Sequence, residues 1–289
     1  MKSKLEENKI LCAVVFAFAS LLITTAIQTF NAVVIQGLRG RPAFVTLSFM
    51  VIIFITKVLF GIAYGFLGKF MSVRNRYLRG LVFMALVWTT AYAPQTFGLA
   101  GADGAVANAI FDPPLLICDG IGYLLSGLVL GWLMPDQYTP VRTLKFSTML
   151  RTMILCGIGL PLLVMLGDKL LYLINPNFAA RLALGVSAAK AQGFHWIYFG
   201  CFIPAGLLLP WFYRLTAYNS DNLSATWEFA ISFVLLIWTP LVVIVIAFGA
   251  NLFATLFYAL MFILILWPLT WFISKMETKP VPGPHYVWI

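Results

Sequence analysis

Apolar and polar positions along this chain fall into long blocks. Apolar runs of roughly 20 residues or more, each enough to cross a hydrocarbon core about 30 Å thick, are placed at 10–36, 43–67, 80–100, 114–134, 151–174, 194–216, 228–249 and 251–274. Between them lie short segments that collect glycine, proline, asparagine and charge, none large enough for a soluble domain. Backbone in lipid must satisfy its own hydrogen bonds, and the two-residue alternation of barrel strands is absent, so all eight runs are read as α-helices. The expected architecture is all-α. Residues 1–289 form one polytopic integral membrane bundle of about eight transmembrane helices, with the last two joined as a hairpin around Gly249 and Asn251.

Composition strengthens this reading. Of the 289 residues 62% are hydrophobic and only 10% charged, with a mean hydropathy of +0.94, against about 25% charged in ordinary soluble domains. The net charge of +9 does not point to nucleic acid, because the basic residues sort by side. With the N-terminus inside, the cytoplasmic segments hold Lys2, Lys4, Lys9, Lys69, Arg74, Arg76, Arg79, Arg142, Lys145, Arg151, Arg214, Lys275 and Lys279, while outer loops hold Arg39, Arg41, Arg181 and Lys190. Both termini are therefore expected in the cytoplasm. The first apolar run is too long for a signal core and lacks a small-residue cleavage site, so it is read as a retained helix. A bacterial inner membrane suits such a chain.

Familiar catalytic signatures fail on spacing. Gly61, Gly65, Gly68 and Lys69 do not keep the phosphate-loop interval and end a membrane helix; they are read, like Ser126, Gly127 and Gly131, as small residues for close helix packing. The sequence contains neither GxSxG nor HExxH, and its two histidines, His195 and His285, do not make paired haem ligands. No cofactor or metal is expected. The sequon at Asn222 falls on the cytoplasmic side and should be unused. Cys12, Cys118, Cys156 and Cys201 lack CxxC pairing and are read as buried thiols, with Cys118 and Cys201 the one disulfide worth testing.

Charge inside the apolar runs is scarce and costly, at about 2.5 to 3.5 kcal/mol for Asp, Lys or Arg at a helix centre. Lys57 lies roughly 16 Å above the inner end of its span, near the midplane, and Asp119 and Asp168 both lie about 25 Å up theirs. Asp119, roughly 8 Å higher than Lys57, is its expected partner. Lys169 can snorkel outward. Thr24, Thr25, Gln28 and Asn31, and then Thr89, Thr90, Tyr92 and Gln95 around Pro94, share the outer half. Pro94 removes a backbone donor and exposes the Thr90 carbonyl, which would break the helix there. An outward polar pocket is expected in the first five helices, floored by Lys57 and lined by Thr89, Thr90, Gln95, Asp119 and Asp168. The competing reading is helix glue, each threonine bonding its own preceding turn.

The second half carries Pro161, Pro204, Pro210, Pro240 and Pro268, which should interrupt its helices, and it reads as a scaffold. The loop from Asn175 to Gly193 is expected to lie over the mouth as an amphipathic lid. Three function classes fit. First is a transporter or permease for a small or lipid-like solute, with an anionic group favoured by Lys57. Second is a non-catalytic subunit or sensor module among other membrane proteins. Third is a lipid-modifying enzyme using Asp119, Asp168 and His195. The expected partners are the bilayer, a small solute and other membrane subunits, with no nucleic acid.

Overall fold

A computed structural model of the chain describes residues 8–35, 47–68, 71, 73–100, 113–134, 146–174, 195–217, 222–238 and 252–276. All regular structure among the described residues is helical: α1 (Lys9–Phe30), α2 (Leu47–Leu67), α3 (Arg76–Ala100), α4 (Pro113–Leu133), α5 (Phe146–Ile174), α6 (His195–Ala217), α7 (Asn222–Phe233) and α8 (Leu252–Met276). Four of these helices contain stretches long and apolar enough to cross a membrane, Lys9–Phe30, Met50–Leu67, Ser147–Gly167 and Ala259–Met276. Their outward faces are apolar. On α5, Leu150, Ile154, Ile158, Leu162 and Leu166 are all exposed and recur at intervals of four, a greasy stripe that water would not tolerate and lipid would. This is a membrane protein.

Helix starts follow local chemistry. The side chain of Asn8 accepts from the backbone amide of Leu11 at the head of α1, and that of Asn75 accepts from those of Tyr77 and Leu78 at the head of α3. Each satisfies donors that the first turn leaves unpaired. Two helices end in π-helical turns, Asn31–Ile35 after α1 and Val234–Trp238 after α7, which the apolar pattern does not announce. The prolines did not act as breaks. Pro161, Pro204, Pro210 and Pro268 lie inside continuous helices, and α3 keeps helical backbone across position 94; neighbouring groups can re-satisfy the freed carbonyls of membrane helices. Pro240, the turn around Gly249 and Asn251, and the 175–193 loop lie outside the described residues.

The chain divides into two compact units, the first built from α1, α2, α3 as far as Trp88, and α4, the second from α3 onward of Thr89 and α5 to α8. In the first, α1 packs against both α2 and α4. Gly61 lets α2 approach α1 so closely that a Cβ there would sit 2.9 Å from the Ala13 backbone. Gly127 and Gly131 of α4 meet Gly80, Arg76 and Tyr77 of α3 backbone to backbone, and a Cβ on Gly127 would lie 2.7 Å from the Gly80 carbonyl oxygen. Arg76 closes this contact from below, its guanidinium donating to the carbonyls of Gly131 and Trp132 at the end of α4. Arg79 is buried and donates to the Val73 and Arg74 carbonyls. The Arg76 donors thus meet the C-terminus of α4, where the last carbonyls lack partners, while those of Arg79 hold the turn that precedes α3.

In the second unit α5 runs against α6 and α8, and α7 against α8. Its centre is aromatic. Trp238 is fully buried, with Phe202, Phe233 and Phe262 around it at centroid distances of 6.3, 5.3 and 4.6 Å, mostly edge to face as ring quadrupoles prefer.

Candidate functional site

The polar centre of the first unit is built on three helices. Lys57 projects from α2, Trp88 from α3, and Asp119 and Tyr123 from α4. Asp119 and Tyr123 are four residues apart and so share one face of α4, one turn from each other. Lys57 is 3% exposed, and its ammonium stands 3.8 Å from the centroid of the Tyr123 ring. No hydrogen-bond acceptor reaches that ammonium. A buried cation without an acceptor costs several kcal/mol, of which a desolvated cation–π contact returns about 2. The fit of the aromatic face holds the charge without satisfying its three N–H donors.

Asp119 is half-buried, and its Oδ2 accepts from the Trp88 indole N–H at 3.0 Å. Glycines make room on both sides. A Cβ at Gly120 would press on the Trp88 ring at 3.3 Å, and one at Gly122 on the Thr24 methyl at 3.3 Å. Carboxylate and ammonium do not bond each other. The carboxylate is held by an indole and the ammonium by a phenol ring. One turn further along α4, Ser126 donates to the Gly122 carbonyl at 2.7 Å and sits 2.7 Å from the Ser20 hydroxyl of α1. A hydroxyl has one proton to give, so Ser20 is the donor in that contact.

Of the residues expected to line a pocket, Lys57 and Asp119 lie in one cluster without bonding each other. Thr89, half-buried, and Thr90, fully buried, belong to the second unit. There the Thr90 carbonyl, whose ordinary helical partner position is Pro94, accepts from the Trp238 indole N–H at 3.2 Å. Asp168 lies on α5 and Gln95 on α3, but both side chains are outside the described residues, as are those of Tyr92, His195 and Cys201. Thr24 and Thr29 bond carbonyls of their own preceding turns, as the helix-glue reading expects. Asn31 is 2% exposed and its side-chain oxygen is without a partner. Cys118 is a buried free thiol, and the side chain of Cys201, its expected candidate partner, lies outside the described residues.

Trp88 and Tyr123 were not anticipated. Tyr123 has a signal in its interval of four from Asp119; Trp88 reaches Asp119 from another helix, which no spacing along the chain reveals. Among the described residues no group of His, Cys, Asp and Glu is arranged to hold a metal ion. No family model, curated protein or solved structure matches the chain.

Proposed function

We propose that the chain is a multi-pass membrane transporter or permease for a small solute bearing an anionic group, with Lys57 as the residue that binds it. One observation carries the reading: a buried ammonium with three unused donors, parked against an aromatic ring rather than in a salt bridge. A lysine kept only for structure would have its donors met, since an unsatisfied buried polar group is a standing cost. An incoming carboxylate or phosphate would meet them at once. The eight helices are taken as eight spans of a cell membrane, the bacterial inner membrane being the natural setting, with both termini cytoplasmic and the basic residues at the heads of α1, α3 and α5 on the inner side.

The test is uptake by the purified chain in liposomes against a panel of organic anions, comparing wild type with Lys57→Met. At least one anion should be carried by the wild type and lose tenfold or more on substitution, as expected for loss of a charged hydrogen bond worth about 1.5 to 3 kcal/mol. If no anion in the panel separates the two proteins, the reading fails.

A further inference from the structure

The first unit places a buried lysine and a half-buried aspartate in the same cluster without a bond between them. In a medium of low dielectric, opposite charges this close gain most by direct bonding. Here the carboxylate of Asp119 takes the Trp88 indole N–H on one oxygen, and Lys57 faces the Tyr123 ring with no acceptor at all. Each charge therefore keeps bonding capacity of its own: three N–H donors on Lys57, and the second oxygen on Asp119. Each charge is met by an aromatic side chain instead of by the other charge. Tyr123 stands one turn, about 5.4 Å, from Asp119 on the same helix face, and its ring faces Lys57.

Such a site is neutral overall but polar in a fixed direction. A plain anion would meet Lys57 and be repelled by Asp119; a plain cation would meet Asp119 and be repelled by Lys57. A molecule carrying both charges satisfies both. Resting on the reading of Lys57 as a solute-binding residue, we propose that the solute is a compact zwitterion of the amino-acid type, its carboxylate bonding Lys57 and its ammonium bonding Asp119 and facing Tyr123. A compact solute of this kind makes one charge-assisted hydrogen bond of about 2.8 Å at each end. Trp88 is a positioning residue, fixing the carboxylate so that its other oxygen stays available.

The experiment is a thermal-shift and uptake series on the full chain with the 20 common amino acids, each matched by its deaminated acid and its decarboxylated amine, in wild type, Lys57→Met and Asp119→Asn. At least one amino acid should bind the wild type, and each single-charge analogue should bind about tenfold or more weakly, the factor expected for one charged hydrogen bond. Asp119→Asn should erase the preference for the amino acid over its deaminated acid while keeping Lys57-dependent binding of the carboxylate. Lys57→Met should lose both. If amino acid and deaminated acid bind the wild type equally, or only plain anions bind, the zwitterion inference is overturned and the anion-transport reading stands. If nothing binds in a Lys57-dependent way, both fall. Circular dichroism and gel filtration of each variant separate loss of binding from loss of fold.

Discussion

The indole N–H of Trp238 donates to the carbonyl of Thr90 at 3.2 Å, and the residue that would ordinarily supply that bond, four positions on, is Pro94. A proline has no N–H to give, so α3 is completed by a side chain from the end of another helix. Trp238→Phe keeps an aromatic ring among Phe202, Phe233 and Phe262 but removes the donor. It should lower stability by about 1 kcal/mol, the net worth of one hydrogen bond, seen as a reduced midpoint in detergent unfolding. An unchanged midpoint would mean that the carbonyl is met some other way.

Lys57 and Asp119 should trade stability against function. Lys57→Met removes an unsatisfied buried ammonium but leaves the Asp119 charge uncompensated, and Asp119→Asn does the reverse. The double variant removes both burdens. It should be at least as stable as wild type and more stable than either single, with a coupling of about 0.5 to 3 kcal/mol in the cycle, while losing uptake altogether. Additive effects would show that the two charges do not feel each other.

How far these features are legible in sequence depends on whether they run along the chain or across it. The helices run along it: expected spans 43–67, 114–134 and 251–274 correspond to Leu47–Leu67, Pro113–Leu133 and Leu252–Met276. Misplaced ends have a common cause. Hydropathy marks the apolar middle of a helix, whereas α3 and α5 begin four or five residues earlier in polar turns containing Arg76, Arg79, Ser147 and Thr148. Lys57 and Asp119 stand out because charge in an apolar run is rare. Trp88, Tyr123 and Trp238 do not, because aromatics are common everywhere here and their partners lie 31, 66 and 148 positions away.

Arg76 appears in the sequence as one more inner-side charge, yet its guanidinium ties the start of α3 to the end of α4. Arg76→Ala should cost about 1 to 2 kcal/mol through two lost charged hydrogen bonds, reduced by their partial exposure. Arg76→Lys should recover less than half, since a point ammonium does not span two adjacent carbonyls as a fork does. Full recovery by lysine would reduce the role of Arg76 to charge alone.

Topology is open to direct labelling. In a cysteine-free background, a membrane-impermeant thiol reagent added to intact cells should modify a cysteine at Ala105 and spare one at Arg74 or Thr278. Modification at Thr278 from outside would rule out an even number of spans with both ends in the cytoplasm.

The glycine contact between α3 and α4 bears on how this half of the molecule can move. Helices usually slide past each other because side chains form a compliant layer that can change rotamer. Where Gly80 meets Gly127 and Gly131 there is no such layer, so sliding or rolling would drive one backbone into the other. The part of α3 up to Trp88 and the facing length of α4 are therefore locked backbone to backbone, with Trp88 and Asp119 borne on them. Lys57 stands on α2, which meets α3 and α4 through rings: Lys57 and Phe60 against Tyr123, and Tyr64 against Phe83. A change in the distance between the two charges therefore has to come from α2, and the ring contacts of Lys57 and Phe60 with Tyr123 and of Tyr64 with Phe83 are the layer that would have to yield.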